Sequence, residues 1–258
     1  MFLEERRRAI LDELRQHGRV SVTSLSDRLH VSAVTIRQDL RMLESEGLLD
    51  RTHGGAVLRD ASTAIPHELA FSTRQQHRRD EKQAIGRTAA GMVSNGYALA
   101  LDASTTALAI VPFLKLVDDL VIVTNSLIIA QQFLDTPRIH VQMPAGTVRS
   151  DSVSLVGRPE TLPDINLMLG FFGTHGLTLE NGITEISMEE VVIKQAMIAR
   201  CRQAVIVADS HKWNKVAPYT FELPQNVDRI ITDEGTPAKM IKEFQEAGIE
   251  VDVVSIDR

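Results

Sequence analysis

Ser32-Ala33-Val34-Thr35-Ile36-Arg37-Gln38-Asp39-Leu40-Arg41-Met42-Leu43-Glu44 decides how the first part of this chain is read. Ser32 is a good N-cap, because a serine hydroxyl accepts a free amide N–H of the first turn, and Gly47 supplies a helix stop. Ile36, Leu40 and Leu43 recur at i, i+4 and i+7, so they share one side of a helix. Val34, Arg37, Gln38 and Arg41 share the opposite side, which holds no acid. A guanidinium bridges guanine O6 and N7 in two bonds, a carboxamide does the same to adenine, and an aliphatic group meets a thymine methyl. A solvated helix face is the competing reading, and the flanking sequence decides between the two.

Residues 4–17 spell a first helix, with Ile10, Leu11 and Leu14 inward and Gly18 ending it. Val20-Ser21-Val22 reads as a short strand, and Thr23 as the cap of a second helix that runs to Leu29. Only His30 and Val31 then precede Ser32, the tight join of a helix-turn-helix. Leu48 to Val57 reads as two short strands around Gly54-Gly55, a wing from which Arg51 and His53 reach phosphate or the minor groove.

On Val31-Ser32, Thr35-Ile36-Arg37-Gln38-Asp39-Leu40, Leu43-Glu44, Gly47-Leu48-Leu49 and Arg51-Thr52-His53-Gly54-Gly55-Ala56, the chain resembles the DeoR family of bacterial transcription regulators. The resemblance implies a DNA-binding winged helix-turn-helix whose recognition helix starts at Ser32. Ser32, Val34, Thr35, Arg37, Gln38, Arg41, Arg51 and His53 are then the DNA-binding candidates.

The 258 residues allow a small domain and a larger one. A hydrophobic content of 43% and a mean hydropathy of −0.05 are those of an ordinary soluble protein. No apolar run approaches the ~20 residues that span a bilayer. The first eight residues lack the apolar core of a signal peptide, and the single cysteine, Cys201, suits a reducing cytoplasm. The net charge of −6 looks wrong for a DNA binder. Residues 1–60, however, hold 10 Lys+Arg and 10 Asp+Glu, so the whole deficit falls on the remainder. Binding to phosphate depends on the local field, and here the acids cluster away from Arg37 and Arg41.

Residues 59–73, with Ser62, Thr63 and Pro66, read as a linker. The expected domains are therefore 1–58 (winged helix-turn-helix), 59–73 (linker) and 74–258 (effector-binding). A helix is expected over 74–93, after which apolar strands and helices alternate. Strands are expected at 97–101, 120–123, 139–143, 165–169, 204–208, 229–232 and 250–254. Helices are expected after the 102–106 turn to about 116, after the 124–126 turn to 134, over 187–200 and over 237–246. Such alternation predicts an α/β fold with a largely parallel sheet and helices on both faces.

Ligands of such sheets sit beyond the carboxyl ends of the strands. Asp102-Ala103-Ser104-Thr105-Thr106 opens a helix after a strand and reads either as an anion pocket or as simple capping. Thr124-Asn125-Ser126 offers a similar turn, and Asp209-Ser210-His211-Lys212-Trp213 places an acid beside a lysine. That lysine reads as a phosphate-binding point charge, a proton-transfer group or a solvated loop residue.

The resemblance extends over these clusters. The family carries Asp-x-Gly-Thr-Thr, Thr-Asn, Gly-Gly, Gly-Ile/Leu-Thr and Asp-x-Ser-Lys-Phe segments. Here they become 102–106, Thr124-Asn125, Ala145-Gly146, Gly182-Ile183-Thr184 and 209–213, with Arg74 and Lys82 at basic positions before the domain. The resemblance implies an effector domain similar to the ribose-5-phosphate isomerase/CoA transferase fold that binds a phosphorylated sugar or a related metabolite. Its candidates are Asp102, Ser104, Thr105, Thr106, Thr124, Asn125, Gly146 and Lys212. Ser104 and Ala145 replace glycines, and His211-Lys212-Trp213 replaces Ser-Lys-Phe, so the ligand is expected to differ from the usual small sugar phosphate.

His140, His175 and His211 match no zinc spacing, and Gly170-x-x-Gly173-x-x-Gly176 is not a dinucleotide fingerprint; no metal and no cofactor are expected. The expected protein is a cytoplasmic transcriptional repressor of a carbohydrate operon. It binds double-stranded operator DNA as a homodimer or homotetramer, away from any membrane, and responds to a phosphorylated effector. The alternative is a sugar-phosphate isomerase with a fused DNA-binding module, using Asp102, Asp209 and Lys212 with Glu185 or Glu190.

Overall fold

The computed structural model describes residues 3–45, 49–52, 54–58 and 71–256. The chain divides into two compact units, Met1–Leu69 and Ala70–Arg258.

In the first unit, helices Leu3–His17, Val22–Leu29 and Ala33–Ser45 surround a small core. Ile10 and Leu14 of the first helix, Leu25 of the second, and Ile36, Leu40 and Leu43 of the third are all buried there. The wing strands Leu49–Thr52 and Gly55–Leu58 pair antiparallel, and strand Arg19–Ser21 completes a three-stranded sheet by pairing with the second. Gly55 is needed for that contact, since a Cβ there would lie 1.8 Å from the Val20 carbonyl oxygen. The second helix is capped by Ser21, whose hydroxyl accepts the Ser24 N–H, and not by Thr23. Thr23 is already helical because the strand stops one residue earlier than its β-branched pattern suggests. Gly47 and Leu48 fall outside the described residues.

In the second unit seven parallel strands form one sheet. Their order across it is Glu250–Val254, Arg229–Asp233, Cys201–Val207, Leu167–Phe172, Ala98–Leu101, Leu120–Thr124, Ile139–Gln142. Alternate side chains enter opposite cores. Leu99 and Leu101 pack with Ile85, Ala89 and Val111 on one face; Ala100 lies in the core of Val191, Ile193, Met197 and Phe244 on the other. Both faces are covered over the inner strands, which read mainly as apolar runs, while the edge strands Ile139–Gln142 and Glu250–Val254 carry exposed polar residues.

Several boundaries differ from expectation. The strand expected at 165–169 is Leu167–Phe172, so Gly170 lies inside it, where the Cys201 sulfur and the Phe172 ring fill the space of a Cβ. The helix expected over 74–93 is two, Phe71–Gln76 and Arg79–Ala90, broken at Arg78 with φ +53°. Residues 71–73, read as linker, are helical because Phe71 is buried in the core of this unit. The helix after Asp102 is also two short ones, Thr105–Leu108 and Val111–Leu114, with Pro112 in the first turn of the second. Two small antiparallel sheets were not expected: the hairpin Thr147–Arg149/Ser154–Val156, and Gly176–Thr178, Gly182–Glu185 and Tyr219–Glu222.

Candidate functional site

On the helix Ala33–Ser45 the Ser32 hydroxyl accepts the Thr35 N–H at 3.1 Å and lies 2.9 Å from the Thr35 hydroxyl. With Ile36, Leu40 and Leu43 sealed inward, Val34, Arg37, Gln38 and Arg41 are exposed, Val34 by 69%. Asp39 does not weaken this basic face. It is buried against the first helix, where Arg6 Nε donates to it at 2.5 Å and Arg7 lies 3.7 Å away. That pair also holds the Arg6 guanidinium above its ordinary range through the hydrogen bond to Asp39. On the wing, Arg51 is exposed; its N–H donates to Glu44 at 3.1 Å and its guanidinium lies 3.6 Å from the same carboxylate. His53 lies outside the described residues.

The parallel register brings Asp102, Asn125, Gly173 and Asp209 to one edge of the sheet, just past the strands ending at Leu101, Thr124, Phe172 and Val207. Asp102 is fully buried. It accepts the Gly173 N–H at 2.8 Å and the Ser104 N–H at 3.1 Å, and Lys194 Nζ sits 2.9 Å away. Lys194, on helix Met188–Ile198, also reaches Glu185 Oε2 at 2.6 Å and the Gly173 carbonyl at 2.8 Å, and lies over the Phe221 ring. Burial opposes the Glu185 charge, but Lys194 and His175 outweigh it and hold the carboxyl well below its usual range. Burial likewise opposes the Lys194 charge, and Asp102 and Glu185 outweigh it, raising the ammonium above the usual lysine range. His175 Nδ1 contacts Glu185 Oε1.

Ser104 caps the short helix by accepting the Ala107 N–H at 3.0 Å, and its side chain fills the space beside Gly173 where a Cβ would stand. Thr105 and Thr106 are buried, and a cleft of about 210 Å³ opens beside Thr105 and Lys82, walled by Arg79, Pro112 and Gln132. Thr124 is buried, and its hydroxyl accepts the Ser126 N–H at 3.1 Å. Asn125 is buried and donates to Glu190 and to the Leu155 carbonyl, each at 3.3 Å. Gly146 is exposed; a Cβ there would lie 2.3 Å from the Val156 carbonyl oxygen, so the hairpin approaches it closely.

Lys212 ends the short turn Ser210–Lys212, which Asp209 caps by accepting the His211 N–H at 3.0 Å. Burial lowers the Lys212 ammonium, Asp209 pulls it back up, and Arg74 adds to the lowering. Lys82 is buried and donates to the Arg74 and His77 carbonyls at 2.5 and 2.8 Å; burial brings it down to about 8. Arg78, turned by its left-handed backbone, donates to the Ser210 hydroxyl at 3.3 Å. His77 and His211 face each other at 5.6 Å, both lowered first by burial and further by neighbouring cations. Arg74, Arg78, Lys82 and Lys212 thus converge around Asp209. Among the described residues no three His, Cys, Asp or Glu are placed to hold a metal ion.

Of the residues missed by the sequence reading, Arg78 shows only as one of a run of charges at 78–82. Lys194 carries no local signal, since its partners come from other elements.

Residues 77–234 match the DeoR C terminal sensor domain, and residues 6–62 match the DeoR-like helix-turn-helix domain. The chain belongs to the DeoR family. This DeoR-family chain is 33% identical over 255 residues to the HTH-type transcriptional regulator GolR of Listeria innocua, covering 98% of this chain and 99% of that one. It is 34% identical to the HTH-type transcriptional repressor GlcR of Bacillus subtilis, covering 90% of this chain and 89% of the relative. To the glycerol-3-phosphate regulon repressor of Escherichia coli it is 28% identical, over 96% and 98% of the two chains. Among solved structures, ribose 5-phosphate isomerase A of Methanocaldococcus jannaschii superposes with a TM-score of 0.40 at 12% identity, over 52% of this chain and 54% of that one. A likeness that slight says nothing about activity. The DeoR-family chain is a DNA-binding transcriptional regulator and not an enzyme. Of the acids named in the isomerase alternative, Asp102 and Glu185 share Lys194, Glu190 accepts from Asn125 and two serines, and Asp209 accepts the His211 N–H. No helix of the described residues is long and apolar enough to cross a membrane.

Proposed function

We propose that this protein represses a carbohydrate-catabolism operon and that a phosphorylated sugar, or a related metabolite, changes its hold on the operator. It acts in the cytoplasm as a homodimer or homotetramer. The observation that carries this reading is the face of helix Ala33–Ser45, where Val34, Arg37, Gln38 and Arg41 stand exposed while the helix's one central acid, Asp39, is buried and paired. Ser32 and Thr35 lie at the start of that helix, where hydroxyls reach the phosphate backbone, and Arg51 and His53 serve from the wing. Relatives named as repressors of glycerol-3-phosphate and other genes support the regulatory direction.

In the second unit Lys212, with Arg74 and Lys82, takes the charged end of the effector. Asp102 contributes by fixing Lys194 and the Ser104 N–H. Ser104, Thr105, Thr106, Thr124, Asn125 and Gly146 frame the remainder of the sheet's edge. A ligand changes operator affinity only if it binds one arrangement of the protein more tightly than another. Selecting bound fragments from genomic DNA with the full chain tests the reading. A two-fold symmetric site is expected, because paired winged domains read paired half-sites. Binding without sequence preference would contradict it.

A further inference from the structure

The strand Glu250–Val254 ends the seven-stranded sheet, and among the described residues no strand lies beyond it. The Glu234 N–H donates to the Val254 carbonyl, so the backbone groups of Val254, Asp252 and Glu250 face the neighbouring strand. Those of Val251 and Val253 face outward. Natural proteins guard such an edge with charge, a proline or a bulge, because it invites another strand. Here the acids do not guard it: Arg229 of the neighbouring strand pairs with both Glu250 and Asp252, the latter at 2.6 Å. The segment 250–256 has no proline and no lysine, and Val253 is 45% exposed. Beside the edge lies an open groove of about 720 Å³, with residues 251–256 as one wall and the helix Arg79–Ala90, from Asp80 to Thr88, as the other.

Resting on the homo-oligomer reading above, we propose that this edge and groove are the surface on which a second copy of the chain docks about a two-fold axis, so that the two edge strands pair antiparallel. The charges of the helix identify the occupant. Asp80 and Arg87 are exposed, line the groove and stand two helical turns apart on one face, with the small Ala84 between them. The Phe113 ring, 5.8 Å from the Arg87 guanidinium, helps to hold it in place. A two-fold axis sets two copies of that face antiparallel. Asp80 then meets Arg87 of the second copy, and Arg87 meets the second Asp80, a self-complementary pattern that a head-to-tail contact leaves unmatched. The register follows from the strand. Centred on Val253, the pairing exchanges backbone hydrogen bonds between the two copies of Val253 and sets Asp252 against Val254. Centred on Asp252, it would set two acids face to face, which is destabilising. The paired assembly carries two winged units, as a two-fold operator requires.

Sedimentation equilibrium of the full chain and of charge variants tests the assignment. Asp80→Arg leaves the helix face with two positive charges, and Arg87→Asp leaves it with two negative ones. Each is expected to weaken self-association about tenfold or more, since like charges then meet twice across the axis. An equimolar mixture of the two variants is expected to recover wild-type association, because the positive face meets the negative one; that recovery also shows that both variants are folded. The double variant Asp80→Arg/Arg87→Asp only swaps the two charges and is expected to associate as the wild type does. Val253→Lys, on the strand, is expected to weaken association as well. The proposal is overturned if the wild type associates and any of the three single variants does so equally well, or if neither the mixture nor the double variant gains over the single charge variants. A wild-type chain that stays monomeric at every concentration fails the homo-oligomer reading itself and this inference with it.

Discussion

Lys194 Nζ stands 2.9 Å from Asp102 Oδ2, both groups almost wholly buried, and the same ammonium reaches Glu185 at 2.6 Å. One lysine thus pairs with two buried carboxylates and ties the helix Met188–Ile198 to the carboxyl edge of the sheet. Replacing it with methionine strands both charges, and losing one partner of a buried pair costs about 3–5 kcal/mol. Chemical denaturation of Lys194→Met against wild type is expected to show a loss of that order. A loss below ~1 kcal/mol would mean the network is as slack as a surface ion pair.

The same network sets a response to acid. Glu185 has a folded value well below its ordinary 4.5, so its contribution to stability is complete above 4.5 and is lost as the pH falls toward the folded value. The wild-type melting temperature is expected to fall as pH drops below 4.5. In Lys194→Met that acid limb flattens, because the largest attraction holding Glu185 ionised is gone. An unchanged limb would place the acid sensitivity elsewhere.

Lys82 answers in the alkaline direction. Its folded value of about 8 lies below the ordinary 10.5, so between these values the unfolded chain binds more protons and stability rises with pH. Anion affinity moves the opposite way, since the ammonium is lost as pH climbs through about 8. Titrations of the full chain with inorganic sulfate, whose charge is constant from pH 7 to 9, are expected to weaken across this range, and Lys82→Met to bind weakly with a smaller pH dependence. Equal pH dependence in both proteins would exclude Lys82 from the site.

On the DNA side, Arg37→Ala is expected to cost about 1–3 kcal/mol at the operator and to relax base choice at one position. Arg51→Ala is expected to cost less and to weaken all sequences alike, because Arg51 is shared with Glu44 and sits on the wing. Binding measured on operator and on scrambled duplexes separates the two effects. Equal losses on both duplexes for Arg37→Ala would make it a phosphate contact.

Gly55→Ala probes how the wing is held. The added Cβ meets the Val20 carbonyl at 1.8 Å, so the sheet formed with Arg19–Ser21 must open. Overpacking of this kind costs about 1–3 kcal/mol. Hydrogen exchange is expected to quicken at 19–21 and 55–58 and to stay unchanged around Lys194, with weaker operator binding. Unaltered exchange in the wing would contradict the close approach.

Much of this was legible in the residues. The helix from Ser32 announced itself through a cap, an apolar stripe and an unusual polar face, and every inward position fell where its spacing put it. The inner strands of the sheet showed mainly as apolar runs, because strands covered on both faces need no alternation, whereas the edge strands Ile139–Gln142 and Glu250–Val254 mix polar and apolar residues. What failed to show was long-range or conformational. An arginine in the left-handed region, as at Arg78, has no sequence signature, so one expected helix is two. Lys194 looked like any helix lysine, since Asp102 and Glu185 reach it only after the sheet and the helix have docked. Ser104 fits against Gly173, a pairing that neither residue reveals alone.

The central claim is that one unit grips DNA while the edge of the sheet in the other senses a charged metabolite. Operator affinity of wild type and Lys212→Met, each measured with and without a panel of sugar phosphates, tests it most directly. The account expects equal affinity without ligand, a shift in the wild type on adding at least one sugar phosphate, and no shift in Lys212→Met. A shift of the same size in Lys212→Met, or a wild type that ignores every sugar phosphate, would contradict it.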